Sequence, residues 1–312
     1  MINKKIAVIA GATGVCMLSA AAFANYSTSN GYDVLKKSIL ATKDYNNATV
    51  SLVMSAAHND REFTRAEALY EVDGPNHMSS SKSDVTYDTA LIADRSAYSE
   101  PDESGFITDS SLDITDGTKY YYKSSDTKKG DYLFMHNYAD SYGALNEETG
   151  LWGISKDDSN EADKVIRFVE LLTDTVVGDL KNSVICTESD DEHTTYSMTL
   201  NGVQIPEVIN AGANLMYTIL MDEVIGVNKD VIDIGEDGSL SDVDMTFTVN
   251  KDNSFSNGTI TAVLTGDTGD TITLTLDLAI SDIGTTAVKK AEEYGMPIYT
   301  YGKDDTIVKV SD

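Results

Sequence analysis

The sequence predicts an α+β fold, a curved antiparallel sheet with helices laid against one of its faces. The first ground is the C-terminal third, where Val243, Met245, Phe247 and Val249 alternate with Asp244, Thr246 and Thr248. The second is a pair of amphipathic runs at helical spacing: Val165, Phe168, Val169, Leu172, Val176 and Leu180, then Val208, Ala211, Leu215, Ile219 and Leu220. The third is chain order: an opening helix, strands, the helix pair and strands again, with no internal repeat and no low-complexity segment.

The chain opens with Met1-Ile2-Asn3-Lys4-Lys5, a short positive segment, followed by an uncharged run from Ile6 to Ala24. Ala22-Phe23-Ala24 puts small residues where a signal peptidase reads. Residues 1–24 are therefore expected to be a secretory signal peptide cleaved after Ala24, which makes the mature product secreted or extracytoplasmic, at the cell envelope. Gly11, Thr13, Gly14 and Ser19 make the run a poor membrane span. Lipidation of Cys16 is not expected, because Val15 is bulky where a lipoprotein signal needs a small residue.

Residues 25–31 form a polar linker. Tyr32, Leu35, Ile39 and Leu40 then recur at helical spacing as far as Asp44. From Thr49 the period changes to two: Val50, Leu52, Met54 and Ala56 share a face, Asn59-Asp60 turns the chain, and Thr64, Ala66, Ala68, Tyr70 and Val72 return beside them. The stretch from Met78 to Ile114 reads as short strands (85–87, 90–92 and 95–98) broken by polar turns. Thr118 to Lys123 and Tyr132 to His136 are strand-like, and 138–159 is irregular. After the helix at 165–180 come a strand at Thr194–Leu200, a turn at Asn201-Gly202, and a second helix from about Glu207, with Pro206 at its start. The strands near 243–249, 260–264 and 272–280 each present one apolar and one Thr- or Asp-bearing face, as in a sheet wet on one side. A single domain is expected over 32–290, with 291–312 as a C-terminal tail whose one apolar piece, Ile307 to Val310, is expected to be an edge strand or loosely held.

The formal charge is −28, and two of the lysines lie in the first segment. So acidic a chain is not expected to bind nucleic acid or an anionic membrane surface, both of which need basic residues. Of the two cysteines, loss of the first segment would leave only Cys186. An exported chain that cannot form an internal disulfide fits a bacterial envelope and must be held by its core.

The order of elements resembles the LolA/LppX-like superfamily of envelope lipoprotein carriers and lipid-binding lipoproteins. The resemblance rests on the opening Gly31-Tyr32-Asp33-Val34-Leu35-Lys36-Lys37-Ser38, on Tyr45 before the strand at Val50, and on the run from Thr271 to Gly284. It covers about Tyr32 to Thr286 and implies an unclosed β-barrel with helices packed on its concave face around an apolar cavity. The polar region from Met78 to Ser159 is longer than that pattern calls for, and no lipobox precedes the chain.

No reaction chemistry emerges. His58, His77, His136 and His193 pair with no other His or Cys at ligand spacing, and no nucleophile elbow, His-Glu-x-x-His or phosphate loop occurs. Asp233, Asp237, Gly238 and Asp244 partly match a calcium loop, but Gly235 stands where a ligand is needed and Asp244 replaces the bidentate Glu. No enzyme activity, metal or cofactor is expected. The expected function is that of an exported noncatalytic protein holding an apolar ligand, such as a lipid, or an apolar segment of another protein at the cell envelope. The candidate contacts are Phe168, Leu172, Leu215 and Ile219 on the two helices, and Tyr120 and Tyr122, which share one face of an aromatic strand. The competing expectation is a secreted structural or interaction module with a filled core and no small-molecule ligand.

Overall fold

The computed structural model describes residues 31–42, 45–91, 105–126, 129–137, 183–205, 210, 234, 238–302 and 306–310. Helix α1 (Gly31–Ala41) opens it. Six strands follow as a meander: β1 (Asn47–His58), β2 (Arg61–Asp73), β3 (Met78–Asp88), β4 (Phe106–Asp116), β5 (Lys119–Asp126) and β6 (Gly130–Asn137). A second series comprises β7 (Ile185–Ser189), β8 (His193–Asn201), β9 (Ser239–Asn250), β10 (Phe255–Thr265) and β11 (Thr271–Ser281), with β12 (Ile298–Tyr301) and β13 (Ile307–Lys309) at the end. All thirteen join one sheet in the order β13-β12-β6-β5-β4-β3-β2-β1-β11-β10-β9-β8-β7.

The two meanders meet where β1 pairs antiparallel with β11, Leu52 opposite Leu278. The Asn59-Asp60 turn between β1 and β2 has φ of 48° and 67°, the left-handed pair that a two-residue hairpin of this hand requires. Asn59 also ties the turn to β11, its Oδ1 accepting from the Thr271 N–H at 2.9 Å.

One face of the sheet carries the main core. The register places Val50, Leu52 and Met54 of β1 level with Ile280, Leu278 and Leu276 of β11, and these with Gly258, Ile260, Met245 and Phe247 beyond. On that face α1 presents Leu35 and Ile39, one turn apart and both buried. Gly31 lets the helix start against Tyr196 and Val184, since a Cβ there would lie 2.4 Å from the tyrosine ring. Tyr196 in turn stacks on Phe247 with centroids 5.1 Å apart.

A second core forms on the opposite face at the other end of the sheet. Leu112 and Ile114 of β4, Tyr121 of β5 and Leu133 of β6 bury there beneath Ala291, Tyr294, Met296 and Ile298. The covering residues come from the segment that leaves β11 and crosses the sheet to deliver β12, which pairs in parallel with β6 (Ile298 opposite Leu133). The segment beyond residue 290, expected as a tail, thus supplies two strands of the sheet. The rest of that face, over β8–β11 and β1, shows Thr246, Thr259, Asp244, Asp277 and Ser51 to solvent.

The α+β expectation is corrected. Of the described residues 65% lie in strands, all in one sheet, so the fold is mostly β and not a sheet with helices packed on its concave face. Much of the difference comes from 78–88 and 106–116, where the sequence suggests only short pieces and the structure has two full-length strands; the piece expected at 95–98 lies outside the described residues. Ser79, Ser81 and Ser83 point to one face of β3, and Ser80, Lys82 and Asp84 to the other, so apolar alternation appears only at its end, in Val85 and Tyr87. It is held by its backbone ladders and by short side-chain bonds, such as Ser83 to Ser111 at 2.8 Å and Ser110 to Asp84 at 2.6 Å. The helices expected at 165–180 and from 207 lie outside the described residues.

Candidate functional site

Strand alternation sorts the tyrosine run of β5. Tyr121 turns into the second core and is 2% exposed. Tyr120 and Tyr122 turn to the face that carries α1, where the register sets them opposite His136 and Phe134 of β6. Phe134 is in turn level with Tyr299 of the parallel strand β12. An aromatic row results that runs across three strands to the edge of the sheet.

Its rings are in contact. Tyr122 stacks on His136 at 5.6 Å between centroids and meets Phe134 at 5.5 Å. Tyr301 stands edge-on to Phe134 at 4.8 Å and 5.9 Å from His136. Tyr132 and Tyr299 form a second edge-on pair at 5.1 Å, with the Lys129 ammonium 5.6 and 5.0 Å from their centroids. Offset and edge-on pairs of this kind stabilise by about 0.5–1.5 kcal/mol beyond their burial. Phe134 and Tyr132 are buried, whereas Tyr301 is 55% exposed and Ile307 beside it 44%. The row therefore has a packed base and an apolar rim open to solvent.

At its inner end the Tyr120 hydroxyl donates to the Asp113 carboxylate. Burial pushes the Asp113 carboxyl above its ordinary range, and the bond from Tyr120 opposes that shift.

Tyr120 and Tyr122 are thus brought together, while Phe168, Leu172, Leu215 and Ile219 lie outside the described residues. Phe134 lies in the strand-like run Tyr132 to His136 that the sequence shows. His136 enters the sequence reading only as a histidine with no metal-ligand partner, and nothing there points to Tyr299 and Tyr301, because no local signal reveals that their short strand docks on β6. Between α1 and the sheet, where an apolar ligand would sit, the cavity lined by Leu35, Ile39, Phe247, Phe255 and Leu276 holds about 20 Å³. No group of three or more His, Cys, Asp or Glu gathers for a metal among the described residues. Of the partial calcium loop, Asp244 sits in β9 and accepts from the Thr199 hydroxyl at 2.6 Å. No helix among the described residues is long and apolar enough to cross a membrane.

No protein-family model matches the chain, and no curated protein sequence matches it. Among solved structures it is similar to a porin-like protein from Bacteroides uniformis at 9% identity, over 77% of this chain and 98% of that one, with a TM-score of 0.19. Nothing about the site rests on that likeness.

Proposed function

We propose that this chain is an exported, noncatalytic binding protein that offers its aromatic row and the adjoining β12–β13 edge to an apolar segment of a partner at the cell envelope. The observation that carries the reading is the row itself: Tyr122, Phe134, His136 and Tyr301 in contact beside the Tyr132–Tyr299 pair, packed at the base and solvent-exposed at Tyr301 and Ile307. Large rigid side chains of this kind supply contact area at low entropic cost, which is why aromatics concentrate where proteins bind.

A surface role is favoured over an enclosed ligand because the cavity beneath α1 holds about 20 Å³, against roughly 300–1,000 Å³ in pockets that bury a small molecule. The same observation supports the second reading, a filled structural module without any ligand.

Nile red, a neutral apolar dye indifferent to the protein's charge, separates the two. The binding reading expects saturable fluorescence enhancement with the purified chain, weakened about tenfold in Y122A/Y301A, the equivalent of about 1.4 kcal/mol. Both variants should melt within a few degrees of each other. No enhancement, or enhancement the double substitution leaves untouched, removes the row as a site and leaves the filled module. Organic extraction and mass spectrometry of the same preparation should find no stoichiometric lipid; a one-to-one lipid would restore the enclosed-ligand carrier.

A further inference from the structure

The site just described is assembled from two distant parts of the chain. Tyr120, Tyr122, Phe134 and His136 belong to the first meander. Tyr299, Tyr301 and Ile307 arrive only because residues 282–297 cross the sheet and lay β12 on β6. That crossing segment has its own hinge, clasp and core.

The hinge is the start of the segment, where Asp282 and Gly284 take left-handed φ of 53° and 78°. The clasp is Asn47. Its backbone oxygen accepts from the Gly284 N–H at 2.8 Å. Its side-chain oxygen accepts from the Thr286 N–H at 2.8 Å, and its amide donates to the Thr286 oxygen and to Asp73, both at 3.0 Å. The core is the second hydrophobic cluster, which shares no residue with the first. Beyond it, β12 meets β6 at two register positions, with the Leu133 N–H donating to the Pro297 oxygen and the Thr300 hydroxyl to the Met135 oxygen, both at 3.0 Å, and β13 contacts the sheet through β12.

We propose that residues 282–302, with β13 paired to them, form a strap that opens and closes as one unit while the sheet from β1 to β11 stays intact. Opening withdraws Tyr299 and Tyr301 from the aromatic row and bares Leu112, Ile114, Tyr121 and Leu133, so the closed strap completes the site. That consequence rests on the binding reading above; the motion itself does not. Units that open below the global unfolding free energy are those with few shared buried contacts and a separate core, as here.

Hydrogen exchange on the intact chain tests it. The amides of β12, β13 and 284–296 are expected to exchange about a hundredfold faster than those of β10 and β11, with a common dependence on low urea. N47A should speed the whole strap about tenfold further, and the strap amides should still exchange ahead of those of β9 and β10. Simple fraying of the sheet edge would free β12 and β13 but leave 291–296 as protected as β10, and that result overturns the proposal. So does a strap that N47A does not accelerate. Loss of Nile red binding in N47A ties the strap to the site. Dye binding absent from the parent chain refutes the site and leaves the strap to be judged by exchange alone.

Discussion

Asn47 shows how much one side chain can hold. It begins β1, yet three of its polar groups are used by the strap and by Asp73, whose other oxygen accepts from Asn76 at 2.7 Å. Replacement by Ala strands the buried Asp73 carboxylate without one of its donors, and urea titration should show a loss of about 2 kcal/mol. Gly266 is a steric case. A Cβ there would lie 1.7 Å from the Ile234 carbonyl oxygen, backbone that cannot rotate away. G266A should cost about 3 kcal/mol by the same assay. Asp113 is an electrostatic case. Its folded-state pKa is raised by burial above the ordinary 3.8, so between the two values the native chain holds a proton that the unfolded chain has released. Stability therefore falls as pH rises through that window. D113N, which keeps an acceptor for Tyr120, should be more stable than the parent at pH 7, and the difference should vanish in acid. An unchanged pH profile would contradict the assignment.

At the scale of elements, β9 to β11 were legible in the sequence and β3 to β4 were not, for one reason. Met245, Phe247, Leu276 and Leu278 all fall on the face that α1 covers, so burial writes a period of two into the chain. β3 is central to the first meander, but from Ser79 to Asp84 both of its faces are polar, and pairing through the backbone leaves no such mark there. The same holds for β12, whose partner β6 lies far away in sequence and is joined in parallel. Hence Tyr120 and Tyr122 could be placed on one face from alternation alone, while Tyr299 and Tyr301 could not be assigned to the same row. The main core should answer to truncation. Phe247 is 1% exposed and stacked on Tyr196, so F247A should cost about 4 kcal/mol. The second core answers to alkali. Burial pushes the Tyr121 phenol up to about 12, so the native chain keeps a proton above pH 10 that the unfolded chain loses. Stability should decline between about pH 10 and 12, and absorbance titration should find a tyrosine that ionises late.

The whole molecule is strongly acidic, with a formal charge of −28. Described carboxylates such as Glu67, Asp244 and Asp277 stand exposed on one face of the sheet, where Arg65 pairs with Glu67 at 2.8 Å. Like charges at this density repel, and salt screens them within about 10 Å at 0.1 M. The melting temperature should therefore rise when sodium chloride is added, a trend opposite to that of a protein held by surface ion pairs. The exposed Thr and Asp on the face of β8–β11 also make those strands unsuited to contact with lipid chains, where an outward apolar band is needed.

The join between β1 and β11 dictates when folding can finish. Asn47 and Thr286, which clasp each other across it, are 239 positions apart. Until β11 has been made, β1 has a partner on one side only, and the two meanders remain separate ribbons. Such distant pairing is slow to nucleate, because the long intervening chain must be gathered first. A polypeptide leaving a ribosome would accordingly stay unfinished until nearly its last tenth had emerged, and a chain in that state can still be threaded through a narrow translocation pore.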